Sequence, residues 1–122
     1  MAKANKILVV DDSNLVRNFH INILKTEGFI PDSAGDGAEA LEKALSGDYD
    51  LILCDVNMPV MDGITFVEKF REMEKETPVI IITTQREKYN KDRGIEAGAN
   101  LYVTKPVKPD KLVLNIRMML GE

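Results

Sequence analysis

The sequence predicts a doubly wound α/β domain, a parallel sheet of five strands covered on both faces by five helices. Short apolar runs recur at residues 7–10, 51–54, 79–82 and 101–103, and amphipathic stretches of about ten or more residues lie between them. The runs are apolar almost throughout, as strands buried on both faces are, whereas a strand with one wet face alternates.

Taken in order, the first strand, 7–10, is Ile-Leu-Val-Val and stops at Asp11 and Asp12. A helix over 14–27 comes next, with Gly28 placed to end it as the C′ residue. The second strand, 29–33, is the weakest, and Pro31 inside it cannot donate a ladder hydrogen bond, which assigns it to a sheet edge. Asp36 and Gly37 read as turn and cap before a helix over 38–46, with Gly47 as its C′ residue. The third strand, 51–54, and a helix over 64–75 are joined by a turn-rich segment holding Asn57, Met58, Pro59, Asp62 and Gly63. The fourth strand, 79–82, leads to a helix over 87–97 that is the least secure element. Its stretch 86–93 is almost wholly polar, and Gly94 inside it costs about 1 kcal/mol relative to alanine. Gly98 ends it, a fifth strand over 101–103 forms the other sheet edge, and Pro109 opens a last helix over 109–120. Strict alternation of five units favours an open sheet over a barrel, which takes eight units and about 250 residues.

Composition bounds the rest. The chain has 122 residues, 44% hydrophobic and 30% charged, with a formal net charge of -4, and no linker divides it. That reads as one domain over 1–122, expected to be monomeric. Its strictly apolar runs stop at four residues, far short of the roughly 20 that cross a bilayer. The opening residues lack the apolar h-region of about 7–15 residues that a signal peptide needs, so a cytoplasmic location is expected. Cys54 is the single cysteine, which fits a reducing compartment. The acidic balance, with no run of consecutive basic residues, argues against a nucleic-acid partner. Because the sequence stops two residues after the last helix, no output domain is expected and the output should pass through a partner.

The informative regularity lies at the carboxyl ends of the strands, which carry in turn Asp11 and Asp12, then Asp55, then Thr83, then Thr104 with Lys105. In an open α/β sheet, ligands bind beyond the carboxyl ends of the strands where strand order reverses. If the Pro31 strand pairs with the first, the first and third become neighbours about 4.8 Å apart, and Asp11, Asp12 and Asp55 converge. Three carboxylates repel, so either one is held protonated or a cation resolves the conflict. An all-oxygen set suits a hard cation, Mg²⁺ better than a caged Ca²⁺. Lys105 and Thr83 supply the charge and hydroxyl expected opposite an anion.

Singly, each residue has a plainer reading. Asp12 or Ser13 could cap the first helix, Thr83 and Thr104 could be ordinary strand-end residues, and Lys105 a solvated lysine. Together, at four strand ends, they read as a phosphoryl site. His20, four residues from Val16 and Leu24, reads as a partly buried helix residue, and Cys54 as a small buried hydrophobe.

These residues resemble the receiver domain of two-component response regulators, closest in size to the single-domain chemotaxis type. The likeness covers the whole chain: Ile7 to Asp12, Leu51 to Asp55 with Met58-Pro59 and Asp62-Gly63, Val79 to Thr83, Gly98-Ala99, and Tyr102 with Lys105-Pro106. It implies a flavodoxin-like sheet in the order 2-1-3-4-5. It further implies that Asp55 accepts a phosphoryl group from a phosphohistidine on a sensor histidine kinase or phosphotransfer protein. Asp12, Asp55 and the backbone carbonyl of Asn57 would hold Mg²⁺ directly, and Asp11 through water. Lys105 and Thr83 would contact the phosphoryl oxygens, Thr83 and Tyr102 would form the switch, and Lys105-Pro106 would be cis. The domain would catalyse only its own phosphorylation and dephosphorylation. Asn57 and Gln85 stand at variable positions, and their carboxamides could orient a hydrolytic water but cannot take its proton.

Rival classes fit less well. A haloacid-dehalogenase-type phosphohydrolase needs a second Asp where Asn57 stands, a flavodoxin-like FMN carrier would be repelled by Asp11 and Asp12, and no P-loop motif is present. A phosphorelay intermediate or the excised receiver of a larger regulator remains an alternative within the family. Output is expected through the face of the fourth helix, fifth strand and fifth helix. Advancing 100° per residue puts Leu112, Ile116, Met119 and Leu120 towards the core and Leu114 and Met118 towards water, where with Tyr102 they would form the partner face.

Overall fold

The computed structural model describes residues 5–85 and 88–122. The expected start of the fourth helix at Glu87, with Arg86 before it, lies outside the described residues. Strands β1 (Lys6–Val10), β2 (Ile30–Ala34), β3 (Leu51–Cys54), β4 (Val79–Thr83) and β5 (Leu101–Thr104) alternate with helices α1 (Asn14–Thr26), α2 (Gly37–Ser46), α3 (Gly63–Glu72), α4 (Lys88–Ala97) and α5 (Pro109–Met119). The strands form one parallel sheet in the order β2-β1-β3-β4-β5. Pro31 sits on the edge strand as its missing donor requires.

Alternation along the strands sorts the core into two layers. Ile7, Val9, Leu51, Leu53, Ile80 and Ile82 face one way and pack with Leu24, Leu112 and Ile116 of α1 and α5. Leu8, Val10, Ile52 and Cys54 face the other way, against Ala40, Ala44, Phe66, Val67 and Phe70 of α2 and α3. Full burial of a leucine or isoleucine contributes about 1.5–3 kcal/mol, so β1, β3 and β4 anchor the fold. On α5, Leu112 and Ile116 are buried and Met119 and Leu120 pack partly against them, whereas Leu114 and Met118 are exposed, as the 100° spacing predicts.

Side-chain caps start three helices: Ser13 accepts from the Val16 amide, Asp36 from Glu39 and Asp62 from Thr65, each stabilising by about 1 kcal/mol. Ser13 therefore takes the capping role on α1, and Asp12 is not spent on it. Gly28 and Gly98 end their helices at φ 88° and 116°, the left-handed region where glycine carries no Cβ penalty. Gly47 corrects the expected pattern, since its φ is −108° and it is the cap residue itself. A Cβ there would lie 2.8 Å from the Tyr49 ring and 3.1 Å from the Lys43 carbonyl, so any larger residue would have to displace the ring. The strand expected over 29–33 is displaced by one residue, with Phe29 buried as it enters. Helix α3 ends at Glu72 and not at 75, because Glu74 turns left-handed at φ 59°.

Past that turn Arg71 donates to the carbonyls of Gly98, Lys75 and Thr77 and to Asn100 Oδ1, at 2.8–3.0 Å. Asn100 Oδ1 also accepts the Val79 amide, so one guanidinium ties together the entries to β4 and β5. Gly94, costly in a solvated helix, is buried. A Cβ there would lie 3.0 Å from both Ile81 and the Tyr102 ring, so its absence lets α4 lie close to β4 and β5. Among the described residues no helix is long and apolar enough to cross a membrane.

Candidate functional site

The sheet itself sets the positions of the site residues. Hydrogen bonding runs one residue beyond the strands: the Asp11 amide donates to the Ala34 carbonyl, that of Asp55 to Val10, and that of Lys105 to Thr83, at 2.8–3.1 Å. Three side chains from three strand ends are thereby aimed into one crevice. Lys105 Nζ lies 3.0 Å from Asp11 Oδ2 and 3.0 Å from Asp55 Oδ2. The remaining oxygens accept backbone amides, Asp11 Oδ1 that of Ser13 at 3.0 Å and Asp55 Oδ1 that of Val56 at 2.6 Å. Burial pulls the Lys105 ammonium down, but the hydrogen bonds and charges of Asp55 and Asp11 outweigh it and hold the group above its ordinary range. The Lys105-Pro106 bond is cis, as the resemblance implied.

The loop after Asp55 is fixed by close packing. The Gly63 amide donates to the Val56 carbonyl at 2.9 Å, and a Cβ on Gly63 would fall 1.9 Å from the carbonyl oxygen of Asp55. Met58 and Met61 tuck against the α2–α3 core, leaving Val60 at the tip, 84% exposed and at φ 69°. A β-branched residue there is strained, so the loop holds it against its own preference.

Thr83 is fully buried, and its Oγ1 accepts the Gln85 amide at 3.3 Å. Gln85 Nε2 donates to Asn57 Oδ1 at 2.6 Å, and the Tyr102 hydroxyl donates to the Gln85 carbonyl at 2.8 Å. One expectation changes. Tyr102 does not stand on the outer face with Leu114 and Met118: it is buried with Val56, Ile64, Ile81 and Ala99, in the space that Gly94 leaves. Asn57 and Gln85 spend hydrogen-bonding capacity on each other, and not only on solvent.

The expected convergence of three acids is also only partial. Asp11 and Asp55 meet at Lys105, whereas Asp12 is exposed, and among the described residues no group of three His, Cys, Asp or Glu could hold a metal. An ammonium 3.0 Å from two carboxylates satisfies them locally. The donor chemistry nonetheless suits a hard cation. Carboxylates of Asp12 and Asp55 and the carbonyl of Asn57 are oxygen donors on two neighbouring loops, and three acids against one lysine leave an excess that a divalent ion would balance.

Two residues near the site were not foreseen in that role. Arg17 Nη1 donates to the backbone carbonyl of Asp11 at 2.6 Å and Nη2 to Asn14, pinning the turn that carries the acids. His20 is buried and lines a cavity of about 10 Å³ with Asp11, Cys54 and Asp55, more deeply placed than expected. Burial first, then the Lys105 charge, lower its pKa, against the opposite pull of Asp11 and Asp55. Burial, then the Asp55 charge, push the Cys54 thiol well up, so it is inert. Thr104 pairs with Thr83 across β4 and β5 as an ordinary strand residue.

A reversal-point crevice holding a strand-end aspartate, a paired lysine and a buried hydroxyl defines the receiver class of two-component signalling domains. The chain belongs to that family, whose response regulator receiver domain model matches residues 7–117. It is 42% identical over 115 residues to the transcriptional regulatory protein ResD of Bacillus subtilis, covering 94% of this chain and 48% of that one. To the transcriptional regulatory protein SrrA of Staphylococcus aureus it is 39% identical over 117 residues, with 96% and 48% covered. The chain thus spans about half the length of these relatives. Among solved structures, chemotaxis protein CheY4 of Vibrio cholerae superimposes with a TM-score of 0.90 at 36% identity, covering 96% of this chain and 99% of that one. A CheY-like receiver domain from Methanospirillum hungatei gives 0.93 at 29% identity, with 98% and 95% covered.

Proposed function

We propose that Asp55 accepts a phosphoryl group from the phosphohistidine of a sensor kinase or phosphotransfer protein, and that the modified domain signals to a protein partner. The observation that carries this reading is the single ammonium held 3.0 Å from both Asp55 and the buried Asp11. Asp55 Oδ2 attacks phosphorus in line, the phosphorus–oxygen bond forms as the phosphorus–nitrogen bond breaks, and the leaving imidazole nitrogen keeps the electron pair. Lys105 shifts from Asp55 Oδ2 to the phosphoryl oxygens while retaining Asp11, so no new charge has to be brought in. With its Oγ1 accepting the Gln85 amide, Thr83 turns its own proton to the phosphoryl group. Asp12, Asp55 and the Asn57 carbonyl would hold Mg²⁺, with Asp11 acting through water. When bound, the ion neutralises charge on the transferring group.

On this reading the protein acts only on itself, works in the cytoplasm and is a monomer before phosphorylation. Its output runs through α4, β5 and α5, where Leu114 and Met118 are exposed. The likeness to CheY4 favours a chemotaxis-type regulator. The half-length match to ResD and SrrA supports a second reading, the receiver part of a larger regulator, which inspection of the flanking reading frame separates from the first.

Incubation with acetyl phosphate and Mg²⁺ should add one phosphoryl group at Asp55, and Asp55→Asn should abolish it. Undiminished labelling of that variant would refute the assignment. Asp12→Ala should lose more Mg²⁺ affinity than Asp11→Ala, and equal losses would contradict the division between direct and water-mediated ligands.

A further inference from the structure

Strand β2 is the free edge of the sheet on the side away from β5, and its outward backbone groups are already engaged. The Ile30 amide donates to the Asn5 carbonyl and the Ala34 carbonyl accepts the Asp11 amide. Ile30, Asp32 and Ala34 therefore turn their backbone groups towards β1, and Pro31 and Ser33 turn theirs outward. Pro31 has no amide hydrogen to offer. The Ser33 amide donates to Asp32 Oδ1 at 2.8 Å, and the Ser33 carbonyl accepts Lys43 Nζ at 2.5 Å. One residue past the strand, the Gly35 amide donates to Glu39 Oε1 at 2.6 Å. The three side chains also hold one another, with Lys43 Nζ 3.5 Å from Asp32 and 3.7 Å from Glu39. The Tyr49 hydroxyl donates to the other Asp32 oxygen at 2.6 Å, and Lys6 Nζ lies over the Tyr49 ring, 5.2 Å from its centre. An unpaired strand edge is a template for pairing with another chain. Here polar side chains of α2 and of the strand itself cover it. They remain a third to a half exposed, so each ion pair is weak singly and the cover opens by substitution without dismantling the core.

We propose that the β2 edge is a latent pairing surface for a second copy of this chain, held shut in the monomer by Asp32, Lys43 and Glu39. The second copy is the occupant because the edge is complementary to itself. Laid antiparallel about a two-fold axis at Ser33, the two edges set Ser33 opposite the same residue of the other copy, and the pair exchanges amide-to-carbonyl bonds in both directions. Gly35 of each copy then stands opposite Pro31 of the other and donates to its carbonyl. That carbonyl is the strand's one outward group on which, among the described residues, no side chain rests. The donors such a pairing needs, the Ser33 and Gly35 amides, are the ones that Asp32 and Glu39 occupy, and the Ser33 carbonyl is the acceptor that Lys43 occupies. Pro31 falls where its missing hydrogen removes one bond per copy and leaves the rest intact. None of Asp55, Thr83 and Lys105 takes part, so the inference stands apart from the phosphoacceptor reading.

The test uses the full chain, followed by sedimentation over a concentration series and by amide hydrogen exchange. In the parent, the Ser33 and Gly35 amides should exchange about ten-fold or more slowly than unbonded amides, because side-chain acceptors hold them. Asp32→Ala with Glu39→Ala and Lys43→Met uncovers the edge. This variant should dimerise at concentrations at least about ten-fold below any at which the parent associates, and its Ser33 and Gly35 amides should become protected as the dimer forms. Adding Ser33→Pro removes the central donor without touching the bonds to β1, and should return the variant to the monomer. The milder pair Asp32→Ala with Lys43→Met frees both Ser33 groups and should tighten association by about 3- to 10-fold, which keeps the test open if the triple variant does not fold. A folded open variant that stays as monomeric as the parent, or a dimer that Ser33→Pro leaves intact, would overturn the proposal. Exchange of the parent's Ser33 and Gly35 amides at the unprotected rate would overturn it with no substitution at all.

Discussion

Replacing Gly63 with alanine tests whether close packing holds the phosphoacceptor in place. The new Cβ would stand 1.9 Å from the Asp55 carbonyl oxygen, 2.9 Å from its carbon and 3.1 Å from Cys54 Sγ. Real Cβ contacts do not fall below 3.0 Å, so the start of α3 and the end of β3 must separate by about 1 Å, against backbone and not a pliable side chain. Overpacking of that kind costs about 1–3 kcal/mol, and strain on the hydrogen bond from Gly63 to Val56 adds about 1 kcal/mol. The combined loss is about 2–4 kcal/mol, which for a chain of this size is roughly 8–16 °C in Tm. Gly28→Ala is the internal control: nothing lies within 4 Å of its added Cβ, and only the left-handed backbone counts, at about 1–2 kcal/mol. Thermal and urea unfolding measure the stability, and acetyl phosphate labelling at a temperature where both variants are folded measures the site. Displacing Asp55 by about 1 Å from Lys105 should slow labelling of Gly63→Ala by up to about 100-fold, while Gly28→Ala labels normally. A Gly63→Ala protein within about 2 °C of the parent and phosphorylated at the parental rate would refute the reasoning.

Three further outcomes are expected. Lys105→Met leaves Asp11 and Asp55 facing each other without their shared cation, which should cost about 2–3 kcal/mol in urea melts without divalent ions and less with millimolar Mg²⁺; an unchanged stability would show the ion pair to be idle. Because the Lys105 pKa is raised in the folded state, its contribution is fully present below about 10.5 and fades only at higher pH. His20 has its pKa lowered, so as pH falls through about 6.5 the unfolded chain takes up a proton that the folded one resists. Stability should then drop with acidification by at most about 1.4 kcal/mol per pH unit from this residue, and an equally steep dependence in His20→Gln would assign the slope elsewhere. Leu114→Ser with Met118→Ser removes two exposed side chains, so Tm and Asp55 labelling should stay near parental values while affinity for the downstream partner falls about ten-fold; undiminished binding would move the output face off α5.

Legibility in the sequence tracked the range of the interactions concerned. β1, β3 and β4 were plain because burial on both faces leaves no polar residue inside them, and Pro31 marked an edge because a missing donor is a local fact. Asp11, Asp55, Thr83 and Lys105 were readable as a set, since each stands at or just beyond the end of an apolar run. Asp12 shares that signal and stands exposed beside the buried Asp11. The features that stayed hidden depend on distant partners. Tyr102 lies inward because Gly94, eight residues earlier, leaves room, and because the Gln85 carbonyl, seventeen residues earlier, accepts its hydroxyl. Asn57 and Gln85 are 28 residues apart, and nothing in either segment announces the other. The early end of α3 reflects the left-handed Glu74 and the reach of Arg71 to Lys75 and Thr77, a contact no propensity encodes.

The Arg71 guanidinium, with four acceptors gathered from Lys75, Thr77, Gly98 and Asn100, gives the molecule a mechanical polarity. It rivets β4 and β5 together where they enter the sheet, at the end remote from Asp55. At the opposite rim Gln85 donates to Asn57 and to Thr83 and accepts from Tyr102, beside the Lys105 amide on the Thr83 carbonyl. On the proposed function, a disturbance beginning at Asp55 would meet a foot gathered on one guanidinium and a rim tied through Gln85, and displacement would run along that rim towards α4. The same rivet would keep the two strands in register during such a movement, so that a change of shape at one end need not loosen the core.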